Sequence, residues 1–560
     1  MRIGIDMLGG QDPDGQGRGV GRYVGQFVES LTCSDSANEY LLYSFDRLPA
    51  WPGHVGTRTR RCVVPSGLGP LANSVQTIVD RNPDRLDLLL VTSPFSKVEG
   101  YCPPAKPVGR LRVASILYDL IPLLVDRDFY VGAQAADLAD YYERLARLRD
   151  YDRILAISGA TRADALVHLG LPPRRVVNIS AATRDGFFAP SEVRALPAGL
   201  KDLGISQPYV LSVASADPHK NTDGLVRAFA LIRPTVRASH QLVIAGAAAG
   251  DYVLKWRLTA LAKQHGILDR LVLVGRLSDE QLRQAYQHCA AFAFVSHYEG
   301  FGLPILEAMM CGAPVVAGDN SSQIELTAGA GLLAQTRDDA DVADKLGRIL
   351  TDPGLAARLR RRGMERARAF NWSETVKRTQ AALGVPASGR SRPLLAWFIP
   401  APSHRPRAAD DMRALLEKLR RHYAIHLYHD AGQVPDVALS NSDLAAFDWR
   451  LFDRHDRVWN YHAVVYDFGQ CICGDFVQRA FFRRPGVVIL HGASSAYLKR
   501  ISGAMACALG VIVTDAELAE LVRTAVPVSR DRVWAVSDRE TPAAAYLDVI
   551  DKATMSPNAA

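Results

Sequence analysis

No apolar run in the 560 residues approaches the ~18 needed to cross a bilayer, so nothing reads as a membrane span. No dense basic run with interleaved aromatics is present, which argues against nucleic acid as a partner. Charge is only mildly unbalanced: 66 Lys and Arg against 59 Asp and Glu leave +7. That excess suits anionic substrates, or loose attachment to an anionic membrane surface. Cysteine is sparse, at 33, 62, 102, 289, 311, 471, 473 and 507. Most of these lie in apolar surroundings, which predicts buried free thiols. Cys471 and Cys473 form C-x-C with no second pair at zinc-like spacing, so no metal site is expected. The chain opens on a strand, Met1 to Met7, without a signal-peptide pattern, and the expectation is a cytoplasmic protein. Hydrophobic content of 48% and charged content of 22% fit a soluble globular chain. At roughly 150 residues per domain, three or four domains are expected.

Short apolar runs alternate with helical patterns. Arg2–Met7, Tyr40–Phe45, Leu88–Val91, Ala114–Leu117 and Arg153–Ile157 read as strands of a parallel α/β sheet with helices on both faces. The first strand leads into GGQDPDGQGRGVGRY, residues 9–23, where Gly9, Gly10, Gly15, Gly17, Gly19 and Gly21 would let a loop approach a ligand; a helix is expected from about Tyr23 to Leu31. Asp119, in YDLIPL, stands at a strand C-terminus, where ligands bind in such sheets, or else caps the following turn. A second series opens at Tyr209–Ala214 and continues through Gln241–Gly246, Leu271–Gly275 and Ala290–Val295. Lys220-Asn221 sits at its first strand-to-helix junction.

Residues 296–333, SHYEGFGLPILEAMMCGAPVVAGDNSSQIELTAGAGLL, hold the densest signal. They read as strand end, glycine-rich turn, helix, short strand and polar loop. Pro304 suits the first helical position, and Ile305, Leu306, Met309 and Met310 form a buried face. Backbone N–H groups at such a helix start can hold phosphate or hydroxyls. Glu299 and Glu307 bracket the turn, and a carboxylate can accept hydrogen bonds from both hydroxyls of a diol.

This string, with its E-x7-E spacing, resembles the retaining glycosyltransferases of family 4 with the GT-B fold, in which two Rossmann-like domains face a cleft. The resemblance implies an acceptor-side domain at 1–200, rejoined by a crossing helix at 371–383, and a donor-binding domain at 205–370. It implies that Glu299 holds the donor sugar, Glu307 the ribose diol, and Lys220 with the backbone of Gly300, Phe301, Gly302 and Leu303 the diphosphate. Asp119 would lie beside the sugar, although Tyr118 stands where the family often has histidine. Asn221 accompanies the phosphate lysine, with His219 where a second cation is common. Arg276, in GRLSDEQLRQAY, would offer its backbone to the base. Gly19 would border the cleft, and Ser321 would lie near the diphosphate. Ile324 replaces a proline often found before Glu325. The arginine-rich stretch Leu355–Phe370 reads as a solvated face, with anionic lipid or a glycan carrier as the other reading.

Residues 384–393 have linker composition. Beyond them, GVVILHG (486–492) parallels VASILYD (113–119), and 510–537 parallels 153–180. Residues 394–545 therefore read as a third Rossmann-like α/β domain, an incomplete copy of the first half. No second E-x7-E follows residue 394. The copy is expected to be non-catalytic and to serve acceptor binding, self-association or scaffolding.

The expected reaction is retaining transfer of a hexose to a saccharide or lipid-linked saccharide, in cell-surface polysaccharide synthesis. YDLIPL and GDNSSQIELTAGAGLL look most like mannosyltransferases using GDP-mannose; UDP-glucose and UDP-galactose stay open as donors. The D-x-D strings Asp126–Asp128 and Asp150–Asp152 end no apolar strand beside a nucleotide loop, so neither an obligatory metal nor a cofactor is expected. A glycan-binding or regulatory protein on the same scaffold is the rival from another class. Isomerase and phosphorylase readings fit the string less well. Peripheral contact with an inner membrane and oligomerisation through the C-terminal domain are the partner expectations.

Overall fold

The computed structural model describes residues 1–13, 19–65, 70–107, 109–124, 135–184, 186–191, 195–206, 208–213, 215–246, 252–384, 391–399, 406–430, 445–468, 475–491, 494–513, 516–526, 532–536 and 542–555. Gly15, Gly17, Asp126, Asp128, Cys471, Cys473 and Gly492, together with most of the expected linker, lie outside these residues.

Among the described residues, three parallel sheets organise the chain. The first comprises β1 (Arg2–Asp6), β2 (Glu39–Phe45), β3 (Thr59–Val64), β4 (Leu88–Val91), β5 (Arg112–Leu117), β6 (Arg153–Ala156) and β7 (Val176–Asn178), in the order β3-β2-β1-β4-β5-β6-β7. The second takes β8 (Tyr209–Val213), β9 (Gln241–Ala245), β10 (Leu271–Val274), β11 (Ala291–Phe294), β12 (Val315–Gly318) and β13 (Leu332–Ala334), ordered β10-β9-β8-β11-β12-β13. Leu88–Val91 and Ala291–Phe294 are buried throughout, as strands covered on both faces must be. β3 escaped the sequence reading because its Arg60 and Arg61 are exposed at a sheet edge.

The third sheet comprises β14 (Leu394–Phe398), β15 (Ala424–His429), β16 (Ala445–Asp448), β17 (Ala463–Asp467), β18 (Val487–Leu490), β19 (Gly510–Val513) and β20 (Val533–Ala535). Its order, β16-β15-β14-β17-β18-β19-β20, reproduces the first sheet strand for strand. The paralleled segments therefore occupy equivalent places: β18 matches β5, β19 matches β6 and β20 matches β7.

Two compact units result. One gathers residues 1–133, 151–163 and 175–388; the other gathers 134–150, 164–174 and 389–560. The first unit holds both the first and second sheets. Helix Trp372–Gly384 returns there to the first sheet's side: the Trp372 ring lies tilted against Tyr23, centroids 5.3 Å apart, and its indole N–H donates to Gln26 at 3.2 Å.

Two expectations need correction. The glycine-rich N-terminal stretch is largely helical where described, with helices at Leu8–Gln11 and Gly19–Ser34, so the second begins four residues earlier than expected. Gly9 is packed rather than open: a Cβ there would meet Val24 at 2.8 Å. Among the described cysteines only Cys289 and Cys311 are buried, while Cys33 and Cys507 are exposed.

Candidate active site

The site is built at the C-terminal ends of the first unit's strands, where open parallel sheets bind ligands. β11 delivers the chain into the turn Ser296–Gly302, after which helix Leu303–Met310 begins. Two glycines make this turn feasible. Gly302 has φ of 100°, a left-handed conformation that side chains resist. At Gly300 a Cβ would come within 2.1 Å of the Tyr118 carbonyl oxygen, so only glycine lets the turn meet the end of β5. Pro304 occupies the second helical position rather than the first. Ile305, Leu306 and Met309 are buried as expected, whereas Met310 is half-buried.

Polar clamps hold the turn. Asn320 and Gln323 both donate side-chain amides to the Ser296 carbonyl, at 3.0 and 2.8 Å. Ser321, at φ 46°, accepts from the Glu299 N–H at 3.0 Å, and the Ser322 hydroxyl donates to the Glu299 carbonyl at 2.9 Å. Glu299 thus has its backbone fixed on both sides, leaving its carboxylate to work.

That carboxylate meets Lys220. The ammonium lies 2.8 and 3.0 Å from the two Glu299 oxygens and 5.5 Å from the centre of the Phe294 ring. Asn221, left-handed at φ 52°, spends its amide on the carbonyls of Val295 (3.2 Å) and Thr336 (2.7 Å), pinning the Lys220 turn to the end of β11. Asp119 stands two residues beyond the C-terminal end of β5. It caps the next turn by accepting from the Ile121 N–H at 3.0 Å, and it also feels His219, Glu299 and Lys220. Burial raises its pKa; the Ile121 bond, His219 and Lys220 oppose that rise, and Glu299 adds to it. Asp119, Lys220 and Glu299 are therefore brought together around one point.

Glu307 lies deeper. It is buried, accepts from the Tyr286 hydroxyl at 3.1 Å, and burial lifts its pKa to about 7. The Arg22 guanidinium, which ion-pairs with Asp279, pulls the value back down. Burial favours the protonated form of such a carboxyl, and hydroxyl donors around it favour the carboxylate.

The other expected residues are dispersed. Phe301 packs into the core against Phe370, with ring centres 5.8 Å apart, so only its backbone faces the turn. Leu303 is half-buried at the helix start. Arg276 is exposed between β10 and helix Asp279–His288. Gly19 opens its helix with no atom within 4 Å of where a Cβ would stand. Asp152 is occupied by Lys106 and by the Val113 N–H. In the arginine-rich helix Pro353–Ala367, Arg358, Arg360, Arg361 and Arg362 are exposed, while Arg366 donates to the carbonyls of Glu325 and Leu326.

Three contributors were missed by sequence reasoning, Tyr286, Arg22 and Thr161, and Glu325, which closes the expected diphosphate-side loop, takes a contact that the sequence did not announce. The Thr161 hydroxyl bridges the carbonyls of Tyr118 (3.0 Å) and Gly300 (3.1 Å). Both Glu325 oxygens accept from the Gly159 N–H, at 3.1 and 2.9 Å, at the start of helix Gly159–His168. A carboxylate on a helix N-terminus is favoured by the macrodipole. These links tie the second sheet's loops to the first sheet.

Comparison with known proteins places this geometry. Residues 201–366 match the family model described as glycosyl transferases group 1. The chain is similar to the serotype-specific mannosyltransferase WbdA of Escherichia coli, at 28% identity over 268 residues, 47% of this chain and 32% of that protein. It is also similar to the O-antigen chain mannosyltransferase B of Escherichia coli, at 30% over 226 residues, 40% of this chain and 58% of that one. The matched region thus spans between a third and three-fifths of these relatives. Among solved structures, the sucrose-phosphate synthase of Thermosynechococcus elongatus superposes with a TM-score of 0.53 at 22% identity, covering 69% of this chain and 98% of that one.

Proposed function

We propose that the chain, which carries a glycosyl transferases group 1 domain at residues 201–366 on a GT-B fold, is a glycosyltransferase that moves mannose from GDP-mannose to a saccharide or lipid-linked saccharide acceptor, with retention of anomeric configuration. The observation that carries this reading is the Lys220–Glu299 pair held beside Asp119 at the strand ends. A diphosphate would take the ammonium, and the donor sugar's hydroxyls would take the Glu299 carboxylate, so one exchange of partners serves both ends of the donor. Glu307 would accept the ribose diol, and Ser321 and the Gly300–Leu303 backbone would border the phosphates.

The chemistry is a substitution at the anomeric carbon. The bond from that carbon to the diphosphate oxygen breaks, and a bond to the acceptor oxygen forms on the same face. The acceptor's proton passes to the departing phosphate oxygen. Lys220 stabilises the negative charge that develops there, the kind of contribution that outweighs other single terms. The proposal assigns this charge to Lys220 and the helix start rather than to a metal. Mannose is supported by the two mannosyltransferase relatives and by the YDLIPL and GDNSSQIELTAGAGLL strings; the polysaccharide context rests on the O-antigen relative.

A donor panel tests it. GDP release from GDP-mannose, in excess of UDP release from UDP-glucose or UDP-galactose and abolished by Glu307→Ala, is the expected result. Oligosaccharide binding without turnover of any nucleotide sugar overturns it in favour of a glycan-binding role. Turnover with a UDP-sugar alone keeps the transferase and replaces the donor.

A further inference from the structure

Helix Tyr252–Gln264 has a core face and a second apolar face turned outward. Leu254, Leu258 and Ala262 are buried against the second sheet's layer. Tyr252, Val253 and Trp256, in contrast, are 78%, 75% and 74% exposed, the three most exposed large hydrophobic residues among those described. At ~100° per residue they share one arc of the helix, which Ala260 continues. Lys255 and Arg257 flank that arc, and Lys263 extends it by a turn. No Asp or Glu occurs between residues 252 and 268. Arg257 is paired with Asp223 at 3.2 Å, which leaves the two lysines as the less compensated cations.

Scattered apolar residues on a surface need no explanation, but a contiguous cluster does. The composition here distinguishes between occupants. Tryptophan and tyrosine combine an apolar body with a polar tip and concentrate at bilayer interfaces. Lysine is depleted from protein–protein interfaces, whereas it is drawn to anionic headgroups. We propose that this face docks the protein onto an anionic lipid bilayer, with Tyr252, Val253 and Trp256 at the acyl boundary and Lys255 and Lys263 on acidic headgroups. The attachment is peripheral and reversible, as a patch of this size supports. It holds whichever sugar the cleft transfers, because none of these side chains belongs to the site above.

The test is sedimentation of the full chain with phosphatidylcholine vesicles, with and without phosphatidylglycerol. Binding is expected only with the anionic lipid. Replacing Tyr252, Val253 and Trp256 together by serine should weaken it roughly tenfold or more, and Lys255→Gln or Lys263→Gln about fivefold each. Anionic vesicles should shift tryptophan emission to the blue, and Trp256→Phe should remove that shift. Unchanged turnover of soluble substrate by the triple variant would establish that it is folded. Equal vesicle binding by wild type and triple variant overturns the proposal, as does no binding by either. A concentration-dependent dimer lost in the triple variant, without any lipid effect, would overturn it in favour of a second copy of the chain.

Discussion

The first and third sheets have the same strand order but place their polar groups differently. In the first, polar side chains gather at strand ends: Asp6, Thr92 and Tyr118-Asp119. In the third, they are also drawn into the interior. His426 and His455 are fully buried, His426 bonded to the Tyr461 hydroxyl at 2.7 Å and His455 to that of Tyr428 at 2.6 Å. Around them Phe398 stacks between Tyr428 and Tyr466, at 5.0 and 4.8 Å. The third sheet does present one pair at the C-terminal ends of its strands, with His491 Nε2 3.1 Å from Asp467 Oδ2. The difference teaches that the repeated feature is the scaffold, whereas chemistry depends on which loops meet the strand ends. The first sheet shares its unit with the second sheet, whose loops carry Lys220 and Glu299, and residues 394–560 contain no second E-x7-E string of that kind.

The largest expected effect tests that contrast directly. Lys220→Ala should lower turnover by about 10²–10³-fold, the scale for removing one group that stabilises developing charge. His491→Ala, just past the C-terminal end of β18 in the third sheet, should leave turnover within experimental error. Comparable losses from both would mean that the third sheet works in catalysis, and the contrast would fail.

Acid should separate the two units by sign. Glu307 has its pKa raised by burial from 4.5 to about 7, so the native state binds its proton more tightly than the unfolded chain. Its contribution to stability is therefore neutral below about pH 4.5, becomes increasingly unfavourable up to pH 7, and then levels off at a cost on the order of 3 kcal/mol. His426 is lowered by burial from 6.5 to about 3, so the unfolded chain binds the proton more tightly. Stability of the second unit falls as pH drops below 6.5, by about 2 kcal/mol at pH 5. Hydrogen exchange in β15, corrected for intrinsic rate, should accelerate between pH 7 and pH 5. Glu307→Gln should stabilise the first unit at pH 8 and leave it unchanged at pH 4. Matching signs in the two units would undo the assignment.

How much was legible follows from sequence distance. Glu299 and Glu307 lie on one strand–turn–helix, so their spacing alone announced them, and Lys220 was marked by its junction. The repeat was readable because β18, β19 and β20 keep the apolar runs of β5, β6 and β7. Tyr286 meets Glu307 across 21 residues, Thr161 meets Gly300 across 139, Glu325 meets Gly159 across 166, and Arg22 meets Asp279 across 257. Each of those side chains has an ordinary neighbourhood in sequence, and only the meeting of two sheets gives it a role. The glycine-rich N-terminal stretch shows the converse. Its composition suggested an open loop, but helix packing claims Gly9 and Gly21.

The smallest effect concerns Arg22, whose guanidinium pairs with Asp279 and restrains the pKa of Glu307. Both partners of this pair are more than a third exposed along their side chains, so Arg22→Ala should change unfolding by no more than about 1 kcal/mol. Its signature lies elsewhere. Without the guanidinium, Glu307 should ionise at higher pH, and the pH below which donor affinity falls should move up with it, since a protonated carboxyl accepts poorly from a diol. Calorimetric titration of the donor at pH 6, 7 and 8 would reveal this as weaker binding at pH 7 with recovery at pH 8. Weakening by the same factor at all three values would instead make Arg22 a direct donor contact, and would extend the first sheet's polar edge to its neighbouring helix Gly19–Ser34.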